Sequence, residues 1–494
     1  MSEAERESRR ARLEALRKQG IDPYPARTGA RQPIAQVRLA FDEKDAAALD
    51  AQTPRVAIAG RIMSMRSFGR LRFFDLLEEG ARIQASARNG EAPDAVFQLL
   101  DQLDVGDFVR VEGRVWRTRT GELTVAAEAL QLLAKSLRPL PEKWHGLADV
   151  EARFRQRYLD LLVNEEVRRV AVVRSRTVSA LRAFLDARGF LEVETPVLQV
   201  LYGGAAARPF TTHHNLYGQD LYLRISDELY LKRLIVGGID RVYEIGRNFR
   251  NEGISRKHNP EFTIMECYQA FADYTQMMEL TQSMLQDVVE RVRGRHLLTF
   301  QGTEIDFSGN WPKHTMRDAI FKATKIDILD PGLATPRQLL ERARQHRLEI
   351  EAQSTWGKTV DELFSKFVEP SLVQPTFIID YPLELSPLAK RKADDPRLVE
   401  RFEIFVAGME LGNAFSELND PDDQRARFEL AHRDAKAGDE EAHPMDEDYL
   451  RALEHGMPPT GGLGVGVDRV AMVLADAPSL RETILFPHLR PEHA

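Results

Sequence analysis

The strongest constraint on the fold is a change of hydrophobic period partway along the chain. From Val56 to about Leu133, apolar and polar residues alternate in short runs: Val56–Ile62, Leu71–Leu76, Arg82–Ala85, Phe108–Val115 and Leu123–Val125. Alternation places successive side chains on opposite faces of a strand. About five strands within about 80 residues, with one helical stretch near Ala95–Leu103, predict a small Greek-key β-barrel of the OB type. A proline-containing link, Leu137–Lys143, follows, and from about residue 150 helix and strand patterns mix. Segment 166–189 carries Val170, Val173, Val178, Leu181, Phe184 and Leu185 at helical spacing, stops at Gly189 and gives way to Leu191-Glu-Val-Glu-Thr-Pro196. Residues 276–293 form a second amphipathic helix. The fold class expected is α+β.

The 494 residues divide into a helix and lead-in (1–50), the barrel (51–140), a linker (141–165) and a large mixed domain (166–494). The leading helix, 2–19, has Leu13 and Leu16 three apart and ends at Gly20. Its six basic and four acidic residues fit either a solvated face or a contact to an RNA backbone. The single cysteine, Cys267, excludes an internal disulfide and points to a reducing, intracellular compartment. No apolar run is long enough to span a bilayer, and the charged N-terminus has no secretory pattern. A net charge of −8 argues against indiscriminate coating of nucleic acid. Segment 55–72 nevertheless holds Arg55, Arg61, Arg66, Arg70 and Arg72 without an acid. Beside Phe73 and Phe74 it fits a surface that stacks bases and neutralises phosphate, although alternation sends one of the two rings into the core. Residues 434–448 are acidic, as expected of a solvated loop.

Familiar nucleotide motifs are absent. Gly357-Lys358-Thr359 resembles a P-loop tail, but the required earlier glycine is Ala352. The alternating glycines of Gly462–Gly466 do not match the dinucleotide fingerprint. Three other units carry chemistry. In the first, strand 242–252, loop 253–260 and strand 261–268 gather Arg250, Glu252, Lys257 and His258 around the loop. On its second strand Phe262, Ile264, Glu266 and Tyr268 share a face. In the second, Asn413, Phe415 and Glu417 share a face, with Glu403 and Glu410 upstream. Two inward carboxylates, Glu266 and Glu417, are costly in one pocket without a cation. Either a bound ammonium or the protein's own Lys or Arg would meet that need. In the third, Gly462–Gly466 leaves a strand face bare for a flat ligand, or for tight packing, and Arg469 opens an apolar helix.

Taken together these segments resemble the class II aminoacyl-tRNA synthetases, and among them the bacterial lysine branch, over nearly the whole chain. Glu192-Val-Glu-Thr-Pro196 after its helix is similar to motif 1, the dimer-forming element. Arg247-Asn-Phe-Arg-Asn-Glu252 with His258–Phe262 resembles motif 2, and Gly462–Arg469 resembles motif 3. Gly203-Gly-Ala-Ala-Ala-Arg-Pro-Phe210, Glu228-Leu-Tyr-Leu-Lys-Arg-Leu234, Ser386–Lys390 and Phe415–Asp420 resemble the lysine branch in particular.

The resemblance implies an OB-fold anticodon domain and a catalytic domain on an antiparallel sheet flanked by helices, with an insertion between motifs 2 and 3. It implies lysine activation by ATP and transfer to tRNA(Lys), in a cytoplasmic homodimer without membrane contact. The implied lysine ligands are Gly204 and Glu228 for the α-amine, Arg250 and Asn413 for the carboxylate, and Glu266, Tyr268 and Glu417 for the ε-ammonium, with Phe415 along the methylenes. For ATP they are Phe262 and Arg469 around adenine, Glu252 at its amino group, Arg250 on the α-phosphate, and His258 and Asn259 near the outer phosphates. Arg250 and Arg469 are the implied catalytic groups, Glu403 and Glu410 the Mg²⁺ ligands, and Phe73, Gln84 and Glu122 the anticodon readers. Asp227, Ala414, Met409 and Leu201-Tyr202 depart from the commonest pattern. An aspartate or asparagine enzyme is disfavoured because Glu228, Glu266 and Glu417 would repel a carboxylate side chain. A barrel-less paralogue is disfavoured by the barrel pattern, and a non-catalytic tRNA binder by the retained Arg250, Arg469 and acids.

Overall fold

In the computed structural model the described residues are 3–141, 147, 149–436 and 444–492. The chain forms two compact units, Met1–Glu165 and Glu166–Ala494. Parts of the proline link (142–146) and of the acidic stretch (437–443) lie outside the described residues.

In the first unit, α1 (Glu3–Lys18), α2 (Ile34–Phe41) and α3 (Ala46–Gln52) precede β1 (Arg55–Phe68), β2 (Leu71–Glu78), β3 (Ala81–Arg88), α4 (Asp94–Leu100), β4 (Phe108–Arg117) and β5 (Leu123–Ala134). The strands close into a barrel in the order β1-β2-β3-β5-β4, the OB arrangement expected. Only β3 and β5 run parallel. Closure leaves no free edge. Ile58, Ile62, Phe74, Leu76, Ile83, Val109, Val111 and Val125 fill the interior. Phe74 therefore points inward, and Phe73, one residue earlier, points outward. Helix α1 is packed rather than free: Leu13 and Leu16 are buried, Arg9 donates to the Val105 carbonyl at 3.0 Å, and Arg12 pairs with Asp104.

The five arginines of 55–72 are not a bare positive surface. Arg55 pairs with Glu128 at 3.0 Å, Arg66 with Asp75 at 3.4 Å and Arg72 with Asp101 at 2.6 Å, while Arg61 lies over the Phe108 ring. Among the described residues Arg70 alone has neither an acidic nor an aromatic partner. Strand pairing brought acids from elsewhere in the barrel beside a segment that has none of its own.

Helices α5 (Val150–Arg155) and α6 (Arg157–Val163) follow, then α7 (Glu165–Asp186) and β6 (Leu191–Glu192). A small sheet of β7 (Leu198–Gln199), β8 (Thr211–His214) and β9 (Gln219–Leu223) leads to α8 (Glu228–Val236). Next come β10 (Arg241–Phe249), β11 (Glu261–Ala270), α9 (Tyr274–Arg293), the hairpin β12 (Leu297–Phe300) and β13 (Thr303–Asp306), and β14 (Lys313–Thr315). Helices α10 (Met316–Thr324), α11 (Pro336–Gln345) and α12 (Trp356–Phe367) precede β15 (Thr376–Pro382), β16 (Leu398–Val406) and β17 (Met409–Ser416). The chain continues through α13 (Pro421–Lys436), α14 (Glu447–Glu454), β18 (Thr460–Gly466) and α15 (Val467–Ala475).

Eight strands make one sheet, β14-β15-β16-β17-β18-β11-β10-β6. Its six central strands are antiparallel, and the edge pairs β14–β15 and β10–β6 are parallel. One face is apolar: Met265, Cys267, Leu463, Val465, Ala414, Phe402 and Ile404 pack with α7, α9 and α15. Cys267 is a small apolar filler there, opposite Glu266. Helix α9 is set by an Asp273/Gln276 capping box and ended by Gly294 at φ +67°. The acidic residues 446–448 are not a loop but the start of α14. Asp446 caps that helix and binds Arg233 at 2.9 Å.

Candidate active site

The other face of the sheet carries polar side chains in register. Glu266 on β11 pairs with Gly464 on β18, which pairs with Asn413 on β17, which pairs with Glu403 on β16. The next row is Tyr268, Gly462, Phe415 and Arg401. Glycine in the middle strand makes both rows a groove. A Cβ on Gly464 would meet nothing nearer than Glu266 Cγ at 3.7 Å, so the floor is open there. Gly462 differs, because its Cβ would lie 1.9 Å from Glu417 Oε1 and 2.5 Å from Tyr268 Cε1. That glycine makes room for the protein's own side chains rather than for a ligand. A cavity of about 390 Å³ fills the groove, and every expected lysine, ATP and Mg²⁺ residue lines it.

One end is acidic. Ser226 donates to Glu266 Oε1 at 2.8 Å and Tyr268 to Oε2 at 3.0 Å. No cation pairs with Glu266 among the described residues. Burial, then Asp227 and Glu228, push its carboxyl well above the usual range. Asp227 is fully buried behind it, held by Asn248 at 3.1 Å and pushed up to about 6, chiefly by burial. Glu228 and Glu417 do have a cation. Lys232 lies 2.5 Å from Glu228 Oε1 and also contacts Glu417 Oε2. Of the two possibilities for Glu417, pairing with the protein's own lysine is therefore present in the fold. Gly204, at φ +86°, lies at this end, where a Cβ would be 2.8 Å from Ser226 Oγ.

The middle is set by Arg401, which sequence reasoning missed. It donates to Asn413 Oδ1 at 2.9 Å and pairs with Glu403 at 2.5 Å. Because a guanidinium only donates, Asn413 must present its oxygen to Arg401, leaving its NH₂ for an acceptor in the cavity. Arg250 is the group without compensation. Its Nε is buried with no hydrogen-bond partner, it has no ion pair among the described residues, and burial lowers its proton affinity. It lies 5.1 Å from the centroid of the Phe262 ring.

At the far end Arg469 donates to the Glu410 carbonyl at 2.7 Å and Oε2 at 3.1 Å, and lies 3.2 Å from His258 Nε2. Burial and Arg469 keep His258 neutral, so Nε2 accepts from Arg469 and Nδ1–H faces Ser255 Oγ at 2.9 Å. Asn259 braces the loop, donating to the Glu261 carbonyl at 2.6 Å. That bond uses one of its two amide hydrogens and leaves the other for an acceptor in the cavity that Asn259 lines. Glu252 is exposed on the rim. Glu403 accepts from Tyr381 at 2.9 Å and is pushed up to about 7, chiefly by burial and then by Glu410. Burial would raise Glu410 too, but Arg469 and Arg401 hold it below its usual range. Among the described residues no group of three or more His, Cys, Asp or Glu side chains could close around a metal. Two carboxylates that leave positions for phosphate oxygens and water are the donor set a substrate-borne Mg²⁺ takes.

On the barrel, Phe73 and Gln84 lie on the outer face of adjacent strands, where Phe73 pairs with Ser86 and Asp75 with Gln84. Thr124 pairs with Gln84 and donates to its Oε1 at 3.0 Å, and the exposed Glu122 stands two residues earlier. The fold thus brings the three expected anticodon residues onto one surface. Phe68 meets the Phe73 ring edge-on at 6.3 Å.

Comparison with known proteins finds two family matches along the chain. Residues 149–490 match the family of tRNA synthetases class II (D, K and N), and residues 56–133 match the OB-fold nucleic acid binding domain. The chain is 54% identical over 488 residues to the lysine–tRNA ligase of Roseiflexus sp. (strain RS-1), covering 98% of each chain. It is 52% identical over 493 residues to that of Moorella thermoacetica, covering 99% of each, and 54% identical over 485 residues to that of Chloroflexus aurantiacus, covering 98% of this chain and 97% of the relative.

Proposed function

We infer, for a chain that belongs to the class II tRNA synthetases and acts as a lysine–tRNA ligase, that the two ends of this cavity divide the substrates between them. Glu266 and Tyr268, with Glu417, take the ε-ammonium, and Phe415 takes the methylenes. Glu228 and the Gly204 backbone take the α-amine. The free NH₂ of Asn413 and the uncompensated Arg250 take the carboxylate. ATP lies over Phe262 with Arg469 across the ring, Glu252 at the adenine amino group and His258 and Asn259 toward the outer phosphates. The single observation that carries this reading is a buried carboxylate without a cation, Glu266, in the same groove as a half-buried guanidinium without an ion pair, Arg250, whose enclosed Nε has no hydrogen-bond partner among the described residues. A zwitterion with an extra ammonium satisfies both.

Adenylate formation then needs no side-chain nucleophile. The lysine carboxylate attacks the α-phosphorus in line and pyrophosphate leaves; the tRNA 3′ hydroxyl next attacks the activated carbonyl, the anhydride bond breaks, and AMP leaves. Arg250 holds the attacking carboxylate against the phosphate and offsets the charge that develops there. Arg469, fixed by Glu410 and His258, orients the nucleotide. Mg²⁺, held by Glu403 and Glu410, would neutralise phosphate charge. The test is ATP–pyrophosphate exchange: lysine stimulates it and aspartate does not. Stimulation by aspartate alone would sink the assignment of the acidic end.

The outer face of the barrel reads the anticodon, with Phe73 stacking a base and Gln84 and Glu122 hydrogen bonding to it. Loss of one stacked base costs about 1–3 kcal/mol, so Phe73→Ala raises the tRNA KM by about 5- to 150-fold. Exchange, which needs no tRNA, keeps its wild-type rate. An unchanged tRNA KM removes Phe73 from the interface. The enzyme is a homodimer through the motif 1 region. In support, the edge strand β6 and the residues after it expose Leu191, Val197, Leu198 and Val200. Light scattering that returns the mass of one chain, 56.2 kDa, refutes it. No helix among the described residues is long and apolar enough to cross a membrane. A cytoplasmic location fits the tRNA substrate.

A further inference from the structure

One buried charge in the catalytic unit has no part in the roles above. Lys232 stands one turn after Glu228 on α8 and is completely buried. Its ammonium joins two carboxylates from separate elements, Glu228 of α8 and Glu417 just past β17, and lies 5.2 Å from the Phe415 ring centroid. Both carboxylates line the cavity, whereas Lys232 is not among the lining residues. It therefore touches the wall from behind. Neither Glu417 oxygen has a hydrogen-bond partner among the described residues, and Oε1 lies beside the bare Gly462, so the ion pair with Lys232 at Oε2 is the main restraint on that carboxylate.

We propose that Lys232 is a positioning residue for lysine recognition. From behind the cavity wall its ammonium holds Glu228 and Glu417 aimed inward and favours their charged forms. The α- and ε-ammonium groups of the substrate then meet preformed carboxylates, and Glu266 is left as the wall acid with no cation of its own. The proposal rests on the division of the cavity given above.

Two carboxyls buried this close together otherwise take up a proton or turn away. The groups facing the site are few. Asp227 and Glu228 come from α8 and its lead-in, Glu266 and Tyr268 from β11, Glu417 from just past β17 and Tyr449 from α14. Arg401 of β16 acts on Glu228, and Arg233 acts on Tyr449. Only Lys232 among them brings a positive charge to both wall acids. Burial pushes Glu228 and Glu417 up, and Lys232 is the group that pulls both back. Burial alone would strip the proton from Lys232, but Glu228 and Glu417 hold it in place.

The test is lysine-dependent exchange by the full chain, with Lys232→Met and Lys232→Arg beside the wild type. Lys232→Met raises the lysine KM by about tenfold or more and moves the ATP KM by less than about twofold. Its log KM for lysine also falls with pH more steeply than wild type, by about one proton between about pH 6.5 and 8.5, because the orphaned carboxyls must ionise first. A packing defect alone gives no such slope. Lys232→Arg, which keeps the charge, restores the wild-type slope with an intermediate KM. Should Lys232→Met fail to fold, Lys232→Gln, which keeps a donor but no charge, is read by the same two criteria. A lysine KM within about twofold of wild type, with an unchanged slope, overturns the proposal. Failure of the wild type itself to respond to lysine overturns the reading of the cavity instead.

Discussion

Arg250→Ala folds as well as the wild type but loses about a thousandfold or more in the rate of lysine-dependent ATP–pyrophosphate exchange. The two halves of this expectation share one cause. Arg250 is a half-buried cation with its Nε enclosed and no acid paired to it among the described residues, and burial already disfavours its charge. Removing it breaks no ion pair and relieves a desolvation cost, which offsets the loss of its contact with the Phe262 ring and its pull on Glu410, so the melting temperature stays near wild type. Catalysis has the opposite dependence. Charge accumulates on the α-phosphoryl group and the attacking carboxylate in a groove where water is scarce, and a fixed guanidinium there acts without reorganising. Arg469 cannot substitute, because Glu410 and His258 already hold it. Thermal unfolding and exchange kinetics on one preparation decide the matter. A rate within about tenfold of wild type would remove Arg250 from the reacting centre.

Much of the cavity was legible because strand period and register are linked. Placing Phe262, Ile264, Glu266 and Tyr268 on one face needs only alternation, and the glycines of Gly462–Gly466 mark the neighbouring strand that lets those side chains reach across. Glu410 was legible as a residue but not as a neighbour. Counting by twos from Asn413 puts Glu410 on the opposite, apolar face. A bulge in the β16–β17 pairing between Ile404 and Phe405 resets the count and turns Glu410 to the cavity. Strand β5 shows the same limit. Ala126–Ala134 is rich in alanine and leucine and favours helix in isolation, yet its pairing with β4 from Leu123 to Ala134 holds it extended. The Arg-rich segment 55–72 misleads differently, since its compensating acids, Glu128, Asp75 and Asp101, arrive from other parts of the chain. Lys232 had a local signal, four residues after Glu228 on an amphipathic helix. What sequence could not supply was that Glu417, almost two hundred positions away, lies on the other side of it.

Glu266→Gln is the substitution that most separates lysine recognition from everything else in the enzyme. The amide has the shape of the acid and can still meet Ser226 and Tyr268, so the groove keeps its geometry. Stability does not suffer, because the acid it replaces is buried beside Asp227 and Glu228 with no cation of its own. Lysine binding does suffer. A buried ammonium that loses its carboxylate costs about 3–5 kcal/mol, so kcat/KM for lysine falls by about 150- to 4,000-fold while the ATP KM stays near wild type. The pH dependence provides a second check. Burial, Asp227 and Glu228 raise Glu266, so in the free enzyme at lower pH the carboxyl holds a proton that lysine must displace. Log KM for lysine in the wild type therefore falls as pH rises, until Glu266 is ionised without help. In Glu266→Gln that component of the slope is gone, since the amide has no proton to release. Lysine kinetics that match wild type in both magnitude and slope would place the ε-ammonium elsewhere, and Glu417, with only a share of Lys232, would be the next carboxylate to test.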